Sequence, residues 1–212
     1  TDYHFLPTAT GQADGSDFQN ALGWDDYGAT GISDFLNNTM VAGDRMLLGS
    51  GNFHGKKLTI TTSGSAGSPK EIVGVDTGSG RPLLTKGTWS RINPDYSGHN
   101  YSLIQFDTAG LGYWKFSGFD LSGARQAIYS PNHSASIHHI QFEDLIISQV
   151  QNGIYLSNLD DSTLENVSII EYTKHAFRLD RNCNTVAFID CFADLTNGDN
   201  SWWDYSQMIP YG

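Results

Sequence analysis

Basic residues are scarce in this chain, with 12 Lys and Arg against 23 Asp and Glu. Yet Lys174, His175, Arg178 and Arg181 fall close together in the stretch Glu171-Tyr-Thr-Lys-His-Ala-Phe-Arg-Leu-Asp-Arg181. Arg offers a planar fork that matches a carboxylate in two-point contact. Lys, His or Tyr can take or give a proton when geometry and pKa suit the task. The segment therefore holds a carboxylate binder, candidate bases, and Asp180 as an orienting anion. The plainer alternative is a solvated surface patch in which these cations pair with Glu171, Asp180 and Asp194.

The elements that must position this cluster are visible as a repeat. Trp114–Leu121, Ile140–Ile147, Ser162–Ile169 and Val186–Ala193 carry one pattern written four times. Aligned on Phe116, Phe142, Leu164 and Phe188, the offsets are 142−116=26, 164−142=22 and 188−164=24. The same register aligns Gly118, Asp144, Asn166 and Asp190, then Phe119, Leu145, Val167 and Cys191, then Leu121, Ile147, Ile169 and Ala193. A period in the twenties with alternating apolar residues predicts stacked parallel strands.

A second strand follows in each repeat, at Ala127–Ser130, Gly153–Ser157 and Ala176–Asp180. Alternation turns Ile128, Ile154, Leu156, Phe177 and Leu179 inward. It turns Tyr129, then Tyr155 with Ser157, then Arg178 with Asp180 outward. Tyr129, Tyr155 and Arg178 are thus expected to form one outward ladder, with Lys174 and His175 at its turn. Between the two strands the spacing is 7 residues from Leu121 to Ile128, 7 from Ile147 to Ile154, and 8 from Ile169 to Phe177.

The rest of the chain supports an all-β reading. Residues 1–30 are rich in Gly, Asp and Thr and read as loops. Thr30–Met40 has helical character: Ser33 or Asp34 is placed to cap it, and Ile32, Phe35, Leu36 and Met40 make an apolar face. Such a helix would cover the open end of a stack of strands. Short strands follow between Gly turns from Asp44 to Val75, and residues 77–99 read as a long excursion. The expected layout is one domain, with loops and cap at 1–43, coils at 44–195, and a loop with an incomplete coil at 196–212.

The net charge of −11 argues against nucleic acid as a partner, since phosphate binding needs a basic patch. No apolar run approaches the roughly 18 residues that cross a bilayer. Two cysteines, Cys183 and Cys191, are too few for a disulfide framework, and both a buried thiol and a mutual bridge are open. Asn37, Asn100, Asn132 and Asn166 begin glycosylation sequons that chance also explains. His138 and His139 are adjacent, which on a regular strand sends their rings to opposite faces and argues against a shared metal.

At this point the chain resembles the right-handed parallel β-helix proteins of the pectin-lyase-like superfamily. The resemblance rests on Gly31-Ile-Ser-Asp-Phe-Leu before Gly43-Asp-Arg-Met-Leu-Leu-Gly-Ser-Gly-Asn-Phe, on Leu58-Thr-Ile followed by Gly67-Ser-Pro-Lys-Glu-Ile-Val-Gly, and on the repeats. It covers roughly residues 30–195. It implies a right-handed, single-stranded parallel β-helix with a short N-terminal capping helix, and a secreted protein acting on an acidic polysaccharide. Superfamily members include lyases, epimerases, hydrolases and tailspikes, and the fold alone does not choose among them. Such chains usually have more coils, so the remainder of the β-helix is expected as a partner.

The resemblance gives the cluster a task. A lyase cutting a uronate polymer must neutralise the sugar carboxylate, take the proton from the adjacent carbon, and protonate the leaving oxygen. Arg178 then binds the carboxylate, Lys174 or His175 is the base, and Tyr155 the acid or an alternative base. Asp180 and Arg181 orient the site. Tyr129, Trp202 and Trp203 are candidates for stacking on sugar rings. Calcium, used by several of these families, would bind oxygens of Asp194, Asp199 and Asp204, with Asp160, Asp161 and Asp180 as further candidates. Two other readings are a hydrolase using paired Asp residues and a non-catalytic carbohydrate-binding coil.

Overall fold

A computed structural model describes residues 1–28, 30–86, 102–131 and 135–194. All strand pairings between named strands are parallel, and they form a single curled sheet. The strands fall into three rows that the chain visits in turn. The first row runs through Asp2–Leu6, Arg45–Leu48, Lys70–Gly74 and Gly112–Ser117, and on through the starts of Ile137–Ser157 and Leu159–Asp180 to Asn184–Ile189. The second contains Asn52–His54, Leu83–Thr85, the start of Asp120–Tyr129, the middles of the two long strands, and Phe192–Asp194. The third contains Leu58–Ile60, Ser102–Phe106 and the ends of Asp120–Tyr129, Ile137–Ser157 and Leu159–Asp180. This is the pairing of a parallel β-helix.

The repeat register is the observed register. Phe116 pairs with Phe142, Phe142 with Leu164, and Leu164 with Phe188. Leu121, Ile147, Ile169 and Ala193 form a second such column. The aligned polar column has a physical cause. Gly118, Asp144, Asn166 and Asp190 all have φ between 50° and 77°, the left-handed region that Gly, Asn and Asp enter most cheaply. A further left-handed column, Gly123, Gln149 and Glu171, makes the next corner. Each corner needs only one such residue, so Ile137–Ser157 and Leu159–Asp180 each pass through all three rows as one strand.

Inside, Trp114, Phe116 and Phe142 stack at centroid distances of 5.7 and 5.3 Å, with Phe106 edge-on at 5.8 Å from Phe116. At the last described coil Phe188 and Phe192 remain about half exposed, because no further described strand covers them.

Several expectations need correction. Residues 1–30 are not all loop: Asp2–Leu6 and Leu22–Gly23 are strands of the first row, and Phe5 is fully buried. Leu83–Thr85, within the expected excursion, is a strand of the second row. The cap is one α-turn, Gly31–Asp34, continued by a π-turn, Phe35–Thr39, and no side chain caps its start. Its apolar face is buried as expected, but Ser33 serves the neighbouring coil, donating to the Lys57 carbonyl and accepting from Thr59 N–H. Asn37 is likewise engaged on both sides of its amide, donating to the Ser33 and Thr59 carbonyls and accepting from Thr61 and Thr62. That sequon is a structural clamp. Both cysteines are free thiols, so no bridge forms between them.

Candidate functional site

The predicted ladder forms on the third row. Tyr129 pairs with Tyr155 and Tyr155 with Arg178. The two tyrosine rings meet at 5.5 Å, and the Arg178 guanidinium carbon lies 4.4 Å from the Tyr155 ring centre. Two further residues extend the ladder, Gln105 beside Tyr129 and Thr59 beside Gln105. Strand spacing puts these rungs about 4.8 Å apart.

At its C-terminal rung the ladder closes on Asp180. The Tyr155 hydroxyl donates to Asp180 Oδ2 at 3.3 Å, and Arg178 pairs with the same oxygen at 3.2 Å. Arg181 sits in a left-handed turn and gives its backbone N–H to Asp180 Oδ1, while its side chain is exposed. Burial raises the Tyr155 phenol above its ordinary value; the Arg178 charge opposes this, and Asp180 reinforces it. Burial also pushes the Asp180 carboxyl up, but the Arg178 charge and the bond from Tyr155 outweigh it and leave it below the usual carboxylate range. At neutral pH the site therefore contains a protonated phenol, an ionised carboxylate and a guanidinium. Ser157, expected to point outward, is buried instead, its N–H donating to Ser130 Oγ at the corner.

His175 lies on the same row, opposite Asn152. Its Nδ1 is 2.9 Å from Asn152 Oδ1. A carbonyl oxygen only accepts, so Nδ1 carries the proton and Nε2 keeps the lone pair. Burial, helped by the charges of Arg178 and Lys174, holds the imidazole below its ordinary value of 6.5. His175 is neutral, oriented, and half-buried. Asn152 itself is buried and continues a polar column through Gln126 to Ser102.

Lys174 is exposed for an identifiable reason. Val150 pairs with Tyr172 but Asn152 pairs with His175, so the last coil holds one extra residue at this corner. The 8-residue spacing from Ile169 to Phe177 was the sequence trace of this bulge. Bulges re-aim side chains and concentrate near active sites.

The other candidates are not gathered here. Asp194 lies on the second row opposite Ile170, whereas Asp180 lies on the third, so the two cannot stack. Asp199, Asp204, Trp202 and Trp203 fall outside the described residues, as do the sequons at Asn100 and Asn132. Asp160 accepts from Asn184 N and Nδ2 and works as a turn clamp, and Asp161 is a left-handed turn residue. No group of three metal-ligating side chains forms among the described residues. Opposite-face geometry fails for His138 and His139. His139 has φ of 53°, which breaks the alternation and brings the two Nδ1 atoms to 2.9 Å, with Tyr113 stacked on His139 at 4.6 Å.

Sequence reading also missed residues that border the ladder. Lys57 donates to Gln105 at 2.9 Å, Gln105 donates to Asp107 at 2.6 Å, and Arg125 donates to Gln151 at 3.0 Å. The second-strand alternation was the one available signal for Gln126 and Asn152. Nothing local marks Lys57, which joins the site through a partner 48 positions away.

No family model and no curated protein matches this sequence. Solved structures do. Pectate lyase Pel9A aligns with a TM-score of 0.63 at 17% identity, covering 90% of this chain and 46% of that one. A rhamnogalacturonan lyase gives 0.63 at 15%, covering 91% and 51%. The GH136 lacto-N-biosidase of Eubacterium ramulus gives 0.62 at 13%, covering 91% and 41%. The fold is a parallel β-helix, shared with these structures. The chain spans about half the length of these structures or less. Among the described residues no helix is long and apolar enough to cross a membrane.

Proposed function

We propose that this β-helix belongs to a secreted polysaccharide lyase that cleaves a uronate-containing polymer, of alginate or pectate type, by β-elimination. The observation that carries the reading is the contact of Tyr155 with Arg178 and Asp180, next to a neutral His175 whose Nε2 lone pair is free of the Asn152 contact. Lyases and a hydrolase both occur among the similar structures, and at these identities they support the fold alone.

In this reading Arg178 turns its fork to the sugar carboxylate and makes the adjacent C–H acidic. His175 Nε2 takes that proton. The electron pair forms the carbon–carbon double bond as the glycosidic C–O bond breaks. The leaving oxygen takes the Tyr155 proton, a role that suits a phenol held protonated. Asp180 orients both Tyr155 and Arg178. Lys174, on the bulge, is the alternative base and a contact for substrate charge. Tyr129 supplies a ring face, as would Trp202 and Trp203.

Calcium at Asp194, Asp199 and Asp204 is part of the proposal on the sequence alone. The described residues supply no set that fits it, so none of these steps runs through a metal. Elimination that is lost in chelator and restored by Ca²⁺ supports it; elimination indifferent to chelator removes it.

The test of the function is the product. Incubation with polygalacturonate or alginate is expected to raise absorbance at the unsaturated-sugar band. New reducing ends without that absorbance assign hydrolysis by paired Asp residues. Polymer binding without either product assigns a carbohydrate-binding coil.

A further inference from the structure

We propose that His138 and His139 form a chelating site for a divalent transition metal that takes its ligands at right angles, Cu²⁺ or Ni²⁺, held by the two Nδ1 atoms. The pair belongs to the first row of strands, whereas the ladder is on the third, and the proposal does not rest on the polysaccharide reading.

The two Nδ1 atoms converge to 2.9 Å, with the ring planes at 87°. Two imidazole nitrogens, each about 2.0–2.1 Å from one metal, are about 2.9 Å apart at a right angle and about 3.3–3.4 Å apart at the tetrahedral angle. The observed bite is that of a tetragonal or octahedral ion, and imidazole donors suit Cu²⁺ and Ni²⁺ among these. Nitrogen donors do not suit Ca²⁺, so this site is separate from the calcium proposed at Asp194, Asp199 and Asp204. In the free protein one Nδ1 donates its proton to the other. In the complex both ring protons sit on the Nε2 atoms, and both Nδ1 lone pairs go to the ion. Its remaining positions are left to water, since no third His, Cys, Asp or Glu joins the pair among the described residues.

The surroundings hold both rings in place. Tyr113 and His139 have φ of 60° and 53°, whereas at the next corner the same two coils use Gly118 and Asp144. A left-handed turn costs Tyr and His more than it costs Gly. His139 is exposed, and a hydrogen bond between two imidazoles that water reaches contributes too little to offset that cost. Tyr113 stacks on His139 at 4.6 Å and meets His138 edge-on at 5.3 Å, so one ring orients both imidazoles. A Cβ on Gly112 would lie 2.6 Å from His138 Nδ1, so the missing side chain makes room for the ligand atom. Asp160 stands opposite His138 one coil on. Its Oδ1 is held by Asn184, so it contributes a negative field that favours a cation rather than a ligand.

The experiment titrates the protein with Cu²⁺ by calorimetry and records the electron paramagnetic resonance of the bound ion. In wild type the tightest site is expected to show two imidazole nitrogens in its spectrum and to keep its Cu²⁺ in excess Ca²⁺. His138→Gln and His139→Asn are each expected to weaken that site by about tenfold or more, because loss of an outer-shell partner alone typically costs that much. Asn enters the left-handed region cheaply, so His139→Asn keeps the corner while removing the ligand, and its far-UV circular dichroism should match wild type. His54→Gln removes a single exposed imidazole elsewhere and is expected to leave the affinity unchanged. No saturable Cu²⁺ uptake by wild type, a spectrum with one nitrogen, or equal affinity in wild type and both variants overturns the proposal. Metal binding is read, not turnover, so the result is the same whether the protein eliminates, hydrolyses or only binds a polysaccharide.

Discussion

Arg178 lies against the Tyr155 ring at 4.4 Å while both side chains reach the same oxygen of Asp180. One carboxylate thus fixes the proposed acid and the proposed carboxylate binder together, one strand spacing apart. Removing any member alters the other two.

Tyr155→Phe keeps the ring under Arg178 and removes the proton. Elimination is expected to fall by about 10²–10⁴-fold in kcat, the usual worth of a positioned acid. Far- and near-UV circular dichroism should match wild type. Product absorbance measures the loss, and full activity in this variant assigns the acid elsewhere.

The acid limb of the pH–rate profile is expected below pH 6.5, because His175 is held below that value. In Asn152→Asp a carboxylate replaces the amide oxygen beside Nδ1 and favours the imidazolium. The acid limb should then move up by about one to three pH units. A limb that stays in place identifies a base other than His175.

The same residue links pH to stability. The unfolded imidazole titrates at its ordinary value and the folded one lower, so between the two values the unfolded state holds more protons. The His175 contribution is complete above about pH 6.5. It is lost as pH falls from there to the folded value, then levels off. His175→Gln should flatten that part of the denaturation midpoint against pH.

Phe116→Ala is expected to cost about 3–5 kcal/mol in denaturant unfolding. Phe116 is fully buried and stacked between Trp114 and Phe142, with Phe106 at its edge. Its neighbours are fixed in register across coils and cannot collapse into the gap.

Gly74→Ala tests the coil contact at the first-row end. A Cβ there would lie 2.1 Å from the Gly118 carbonyl oxygen, a backbone atom that cannot rotate away. Gly118 is itself fixed at φ of 77° by the corner. Overpacking of this kind costs about 1–3 kcal/mol or more. Unchanged stability in Gly74→Ala means that the two coils separate more easily than their pairing indicates.

The sequence by itself determined the stacking. Phe116, Phe142, Leu164 and Phe188 could be aligned because parallel coils place equivalent residues over one another, so a local repeat becomes a spatial column. Tyr129, Tyr155 and Arg178 came from the same arithmetic. The tertiary structure decided what periodicity does not encode. Left-handed corners overrode alternation at His138 and His139, a bulge exposed Lys174, and separate rows split Asp194 from Asp180. Lys57 and Gln105 meet across 48 positions because the chain winds back to the same face, and one-dimensional spacing carries no record of that closure.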